Sequence, residues 1–371
     1  MKSAKPYCHL LKLLLSLCPF LYTLPGNAQS NLVLGGWRLH VPYHQGKAVA
    51  DAGDRVYVAA EQGLFYYDKE FNTTETVSKV DGLSEQQIST IAYDQATKTL
   101  VVAYHNTNID LIQNGKIINI NDILRKPISG EKMINDVNIH NKLAFISSTF
   151  GVVLLDLVKH EVQDSYRNLG PGGEGVNVKA AAILRDSIYL ATNLGLLAAK
   201  YGSTNLQDFQ SWSGLNTGLP AGANTSKLAG FNGKMYLGLA GGLYTLKNST
   251  WEPAAYAVNG VISSLTATAS HLAITTPSGV TVVDKNGSVS TVTHQLLKEP
   301  KDAEAGADGN LWVADMQAGL IKVGQNGTEV AAYTPNGPFS KSSFKVYVYG
   351  GRVYVVSGGY AASYLDAGIR E

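Results

Sequence analysis

The sequence predicts an all-β fold, a seven-bladed β-propeller of four-stranded antiparallel blades, followed by the start of a second propeller or by extra strands at the C-terminus. Two observations carry this prediction. A strand–turn–strand unit occurs seven times before position 340, and its turns recur at intervals of about 37 to 47 residues. A single four-stranded meander cannot exclude water from both of its faces, so seven such units need one another as neighbours.

The last copy of the unit is the clearest. Asp308-Gly309 is a dipeptide that tolerates positive φ at both positions, which predicts a type I′ turn. Residues 310–314 are rich in strand formers, and Gly319 predicts a second turn. Residues 330–333 are expected to form a fourth strand.

The earlier copies repeat the same turn, with a glycine after each apolar strand. The turn glycines of the copies are Gly63, Gly151, Gly195, Gly242, Gly279 and Gly319. In the second copy the run Asn106–Asn108 replaces the glycine, and asparagine is the next residue most tolerant of left-handed backbone. Asn-Gly pairs beginning at Asn114, Asn286 and Asn326 predict further hairpins.

The N-terminus is expected to be a secretory signal peptide. Lysines at its start precede an apolar run broken by Pro19, and small residues precede a cleavage site ahead of Gln29. The run is too short for a transmembrane anchor, which needs about 20 apolar residues. The predicted organisation is therefore a signal peptide at 1–28, a seven-bladed propeller at 29–340, and the start of a second propeller or an extension at 341–371.

Composition limits the classes of function. Cleavage would remove both cysteines, so the exported product would depend on burial rather than on disulfides. Cleavage would also change the formal charge from +1 to about −2. A nearly neutral chain with no basic block does not predict binding to nucleic acid.

The segment before the first copy contains the aromatic pair Trp37 and Tyr43. Because a propeller must join its two ends, this segment is expected to be a strand that closes the ring against the last blade. An ordinary lead-in segment stays open as the alternative.

A search for chemistry yields no catalytic, cofactor-binding or metal-binding residue, and partner-binding residues stay unassigned. Only His40 and His44 among the mature histidines are close in sequence, and Pro42 between them disfavours the helix that would bring them together. Neither HExxH nor GxSxG occurs. Aspartates near turns are expected to accept local backbone N–H bonds: Asp51, Asp54, Asp94, Asp186, Asp302 and Asp308.

Two stretches carry a family resemblance. The order Gly82-Leu83-Ser84, Ile88, Ile91 and Asp94 resembles the propeller repeat of bacterial two-component regulators. The segments 36–68, 133–162 and 333–338 together resemble the N-terminal propeller of PorZ-type proteins, which are surface components of the type IX secretion system of Bacteroidetes.

The PorZ-type resemblance implies function that the residues alone do not. It implies a non-enzymatic protein, without a cofactor, at the cell surface or in the periplasm. It also implies partners within an attachment complex, namely a sortase and a barrel shuttle protein, and binding of anionic lipopolysaccharide. Two alternatives stay open, a ligand-sensing propeller of a two-component regulator and a propeller enzyme such as a lyase or quinoprotein.

Overall fold

The computed structural model describes residues 39–357 except 203, 204, 257, 259, 326, 339–342 and 351. Contacts between Cα atoms divide the chain into Met1–Arg38 and Leu39–Glu371, and every described residue belongs to the second unit. The signal peptide and Trp37 therefore lie outside the described residues.

The described chain is almost entirely β-structure, in seven four-stranded sheets and a final hairpin. Blades 1 to 3 comprise β1 (Gly46–Asp51), β2 (Arg55–Ala60), β3 (Gly63–Asp68), β4 (Thr73–Val77), β5 (Ile88–Asp94), β6 (Thr99–Tyr104), β7 (Ile109–Gln113), β8 (Lys116–Ile120), β9 (Ile134–His140), β10 (Leu143–Ser148), β11 (Gly151–Asp156) and β12 (Glu161–Tyr166). Blades 4 and 5 comprise β13 (Val178–Leu184), β14 (Ser187–Thr192), β15 (Gly195–Lys200), β16 (Ser213–Gly214), β17 (Lys227–Phe231), β18 (Lys234–Leu239), β19 (Gly242–Lys247) and β20 (Thr250–Pro253).

Blades 6 and 7 comprise β21 (Ser264–Ala267), β22 (His271–Thr276), β23 (Gly279–Asp284), β24 (Val289–Val292), β25 (Pro300–Ala305), β26 (Leu311–Asp315), β27 (Gly319–Val323) and β28 (Val330–Tyr333). The hairpin that follows is β29 (Ser343–Tyr349) and β30 (Arg352–Ser357). Helix is limited in the described chain to α1 (Asp122–Arg125) and three single 3₁₀ turns, at Lys79–Asp81, Pro171–Gly173 and Phe209–Ser211. None of these helices is long or apolar enough to cross a membrane.

Each blade takes its four strands from one continuous stretch of chain, paired antiparallel in sequence order. The first strand of every blade is innermost, and it contacts the first strands of the blades before and after it. The cycle includes contact between β25 and β1, so the seven blades form a closed ring. All seven inner strands begin at the same end of the ring, where the connections between blades also lie; we call this end the connection face.

Burial follows the ring. Seven apolar clusters occur in the described residues, and each joins two consecutive blades: blades 1 and 2, 2 and 3, and so on around to 7 and 1. The two tryptophans Trp251 and Trp312 are among the largest fully buried side chains. Each sheet is therefore covered on both faces by its neighbours, as the four-stranded unit requires. The predicted all-β propeller is confirmed.

The seam between blades 1 and 7 differs from the predicted closure. Residues 39–45 form no strand, because β28 already provides the fourth strand of blade 7. Tyr43 is instead buried between the two blades, edge-on to Phe65 with ring centroids 5.9 Å apart. The carbonyl of His44 accepts a hydrogen bond from Gly319 N at 2.7 Å. The segment therefore fills the seam by packing rather than by adding a strand.

Charged side chains also connect blades 1 and 7 across the seam. Lys69 of blade 1 donates hydrogen bonds to Asp51 Oδ1 at 2.8 Å and to Asp308 Oδ2 of blade 7 at 3.0 Å. Its Nζ also lies 5.2 Å from the centre of the Trp312 ring. Because Asp51 is almost fully buried, this cation neutralises a charge that water cannot reach.

The predicted turns are confirmed in part. Gly151, Gly195, Gly242, Gly279 and Gly319 have positive φ, as the repeated turn requires. Gly63 does not have positive φ. A glycine is needed there because Tyr43 packs closely against it, and a Cβ would lie 3.2 Å from Tyr43 Cε1. In the second copy the left-handed residue is Thr107, at φ 70°, with Asn106 and Asn108 on either side of it.

The prediction of a type I′ turn at Asp308-Gly309 is wrong. Only Gly309 has positive φ, and Gly309 N donates to the carbonyl of Gly306 while Gly306 N donates to that of Asn310. The Asp308 carboxylate accepts from Asn310 N at 3.0 Å, which holds the longer turn. At Asn114-Gly115 both residues have positive φ, as expected for type I′. The hairpin predicted at Asn286 is confirmed, since β23 and β24 pair antiparallel around it, although Asn286 itself does not have positive φ. Asn326 lies outside the described residues.

The hairpin β29–β30 follows the ring and is open to solvent. Its described side chains at 346–349 and 354–356 are apolar or aromatic and are exposed. This hairpin is the extra strand pair that the sequence predicts after the seventh blade.

Candidate functional site

The inner strands enclose a central channel of about 750 Å³. Its wall includes small side chains such as Ala48 and Ala229, which leave the space open. Lys47, Lys227 and Lys301 lie at the beginnings of their strands, which places these three lysines at the connection face. A polar, charged mouth above a narrow channel is one of the places where a propeller binds ligands.

Three carboxylates face the same channel, Asp136 from blade 3 and Asp302 and Glu304 from blade 7. Burial raises the pKa of Asp136 to about 6, with Lys227 opposing this shift and Asp302 adding to it. Asp136, Lys227 and Asp302 come from three different blades, so their charges influence one another across the opening. Burial likewise raises the pKa of Glu304 to about 8.

Two of these carboxylates are engaged in joining blades. Asp302 Oδ2 accepts from Val49 N at 3.1 Å, and its Oδ1 accepts from Thr266 Oγ1 at 2.9 Å. Glu304 Oε2 accepts from Asp51 N at 3.1 Å. Asp302 thus connects blade 7 to blades 1 and 6, and Glu304 connects it to blade 1. These hydrogen bonds give both groups a structural role in the ring.

The local role predicted for turn aspartates is confirmed for several of them, including Asp302, whose Oδ1 accepts from Ala303 N at 2.9 Å. Asp94 accepts from Thr97 N at 2.9 Å, and Asp308 accepts from Asn310 N at 3.0 Å. Asp302 lies inside β25 and bonds to neighbouring blades, which its position in the sequence does not reveal. The pairing of Asp51 with Lys69 is a further role that the turn pattern misses.

The titratable groups of the channel do not form a metal centre. In the described ranges no three His, Cys, Asp or Glu side chains are grouped closely enough to hold a metal ion. Burial lowers the pKa of His140, the histidine on the channel wall, which favours its neutral form.

A second cluster of polar groups explains the Gly82-Leu83-Ser84 motif. Leu83 is buried between blades 1 and 2, and Ser84 donates through N and Oγ to the two oxygens of Asp110, both at 2.7 Å. Asp110 is fully buried and also accepts from Tyr104 Oη at 2.7 Å. The motif thus anchors the connection between blades 1 and 2 at the connection face.

Comparison with known proteins places this geometry in a family context. Residues 56–213 match the model of the PorZ N-terminal β-propeller domain of the type IX secretion system. No curated protein sequence matches the chain.

Solved structures agree on the fold. The chain matches PorZ of Porphyromonas gingivalis, described as an essential bacterial surface component of the type IX secretion system, with a TM-score of 0.75 and 22% identity. The match covers 88% of this chain and 43% of the PorZ chain, so this chain spans less than half the length of that protein.

More distant similarity reaches other propellers. Virginiamycin B lyase from Staphylococcus aureus matches with a TM-score of 0.58 and 9% identity, over 76% of this chain and 96% of that one. The WD40 propeller of Doa1 matches with a TM-score of 0.56 and 9% identity, over 77% and 93% of the two chains. At this identity both matches concern the fold alone.

The ring of seven blades, the anchored Gly82-Leu83-Ser84 connection and the match over 56–213 agree with the resemblance carried by the sequence. Residues 56–213 are therefore similar to the PorZ N-terminal β-propeller domain, and the described chain shares the propeller fold of PorZ.

Proposed function

We propose that this protein is a non-enzymatic component of the type IX secretion system, exported to the cell surface or the periplasm. It binds a sortase and a barrel shuttle protein, and also anionic lipopolysaccharide, and so assists attachment of cargo. The observation that carries the proposal is the match of residues 56–213 to the PorZ N-terminal propeller. The wider likeness to PorZ over 88% of the chain supports it.

The geometry supports binding rather than catalysis. Asp302 and Glu304 bond to the backbone of neighbouring blades, so neither carboxylate is positioned as a free acid or base. Lys47 and Lys227 at the channel mouth and the loops of the connection face offer binding groups, whereas Lys301 is paired with Glu299 at 2.6 Å. An anionic glycan would find its counter-charges at this mouth.

Deletion of the gene in its native host tests the proposal. We expect cargo proteins to lose surface attachment and to accumulate unprocessed in the periplasm or the medium. Complementation with the full-length gene should restore attachment. A deletion strain that processes and attaches its cargo normally would contradict the proposed function.

A further inference from the structure

A second pocket, of about 400 Å³, lies outside the channel on the connection face. Its apolar wall is made by Ile123, Ile128, Phe150, Val153 and Val162. Blade 3 contributes the last three, and the connection between blades 2 and 3 contributes the first two. Phe150 and Val153 belong to the apolar cluster between these blades, so part of the pocket wall is also part of the core.

The pocket wall is held in place by a lysine that does not itself line the pocket. Lys132 Nζ donates to the carbonyls of Ile123, Leu124 and Lys126 at 3.1, 2.8 and 3.1 Å. These are carbonyls at the end of α1 that the single helical turn leaves unpaired. Lys132 therefore fixes the segment 123–126 over blade 3 and forms the pocket in advance.

Three cations surround the apolar wall, Arg125, Lys126 and Arg167. No ion pair within the described ranges holds any of them. Arg167 is the most informative, because its Nε is buried and has no hydrogen-bond partner in the described part of the chain. A buried donor without a partner is costly, and a bound anion would satisfy it. Asp122 is the one acid among the described residues of the wall, which leaves the pocket with an excess of positive charge.

We propose that this pocket binds a small amphiphilic anion, a single acyl or aryl chain that ends in a carboxylate or a phosphate. The ligand's acyl or aryl chain lies against Phe150, Val153 and Val162, and its anionic group contacts Arg167. The volume is within the range of small-molecule sites, which are mostly apolar with a few directing polar groups. Charge complementarity and the unpaired Arg167 Nε point to this chemistry, independently of the proposed role in secretion.

Titration calorimetry with the purified chain tests this site. The probes are decanoate and decyl phosphate, used below the concentrations at which they form micelles. Decanol, which has no anionic group, and acetate, which has no long hydrocarbon chain, are the controls. We expect saturable one-to-one binding of one or both probes, and at least about tenfold weaker binding of decanol and acetate. A preference between the two probes distinguishes a carboxylate from a phosphate headgroup.

Variants locate the site. Arg167→Gln is expected to weaken binding about tenfold or more, since a hydrogen bond to a charged group is lost. Arg185→Gln, an exposed arginine in the turn between β13 and β14, is the matched control and should bind as the natural chain does. Circular dichroism melting of both variants is the control that checks whether each is folded. A decanoate analogue with a photoreactive diazirine should label peptides within 122–128 or 150–167.

The proposal is overturned if decanol binds as tightly as decanoate and decyl phosphate, or if Arg167→Gln and Arg185→Gln have equal affinities. It is also overturned if neither probe binds, or if the label falls on the exposed hairpin β29–β30.

Discussion

Lys69 Nζ lies 3.0 Å from Asp308 Oδ2, so a cation of the first blade meets an anion of the last blade across 239 residues of sequence. The same ammonium group is 2.8 Å from Asp51 Oδ1, whose side chain is only 5% exposed. A shared cation thus links the first and last blades, which are the two blades that must meet for the ring to close. The seam also contains Tyr43, Phe65 and Trp312, and their burial supplies its apolar component.

Replacing the shared cation should weaken the seam. Lys69→Met removes the partner of a buried carboxylate, and we expect the free energy of unfolding to fall by about 3 kcal/mol. Urea denaturation followed by tryptophan fluorescence measures the change. Lys159→Met is the control: its pair with Glu161 is more than 60% exposed on both sides, and its loss should cost less than about 0.5 kcal/mol. Equal effects of the two substitutions would show that the seam does not depend on Lys69.

Gly151 is a turn position where no other residue fits. A Cβ there would lie 2.1 Å from the carbonyl oxygen of Tyr166, and the backbone has φ 122°. Gly151→Ala should therefore destabilise the chain by about 3 kcal/mol or more. Gly115→Ala, where φ is 73° and nothing lies within 4 Å, isolates the backbone strain and should cost only about 1 kcal/mol. Thermal melting compares the stabilities of the two variants. A larger loss for Gly115→Ala than for Gly151→Ala would show that the close approach of Tyr166 O does not limit position 151.

Asp110 is expected to be the main anchor of the connection between blades 1 and 2. Asp110→Ala would remove the carboxylate that accepts from Ser84 N, Ser84 Oγ and Tyr104 Oη, at a cost of about 3 kcal/mol. Asp110→Asn keeps one acceptor oxygen and should cost less. Asp54→Ala, at an aspartate that is 68% exposed, should be nearly neutral. Chemical denaturation measures the free energy of unfolding of the three variants. An unchanged free energy of unfolding in Asp110→Ala would show that Asp110 does not anchor the connection.

Glu304 predicts a pH dependence of stability. Its pKa is raised from 4.5 to about 8 in the folded chain, so between these values the folded state binds more protons than the unfolded state. Unfolding free energy should therefore fall as pH rises through this range, by up to about 1.4 kcal/mol per pH unit from this group. Below pH 4.5 the contribution is complete, and above pH 8 it is lost.

Glu304→Gln removes the titration while retaining an oxygen that can accept from Asp51 N. Denaturation of this variant from pH 5 to pH 8 should show a flatter profile than that of the natural chain. Asp136, whose pKa is raised to about 6, should still produce a decline up to that pH. Parallel profiles for the natural chain and Glu304→Gln would mean that Glu304 is ionised in the folded state at pH 5.

The repeat predicted most of the fold because it reflects local rules. Glycine at a left-handed turn and strand formers between turns are visible in each copy, as at Gly151 and Gly195. The exceptions come from contacts between distant residues. Gly63 looks like another turn glycine, yet it makes room for Tyr43, and no pattern along the chain encodes that approach.

The channel and the pocket were harder to predict for the same reason. Asp136, Lys227 and Asp302 come from three different blades, and only closure of the ring brings them near one another. Asp302 looks like an ordinary turn aspartate until Val49 and Thr266 are placed beside it. Arg167 has no motif at all; its unpaired Nε is a property of the folded pocket.

Purification of the tagged full-length protein from chemically cross-linked cells of its native host shows directly whether the protein belongs to an attachment complex. We expect enrichment of the sortase and the barrel shuttle protein, together with lipopolysaccharide, relative to a tagged surface protein of another function. Recovery of the protein from the cell envelope with none of these partners enriched would rule out the proposed role in cargo attachment.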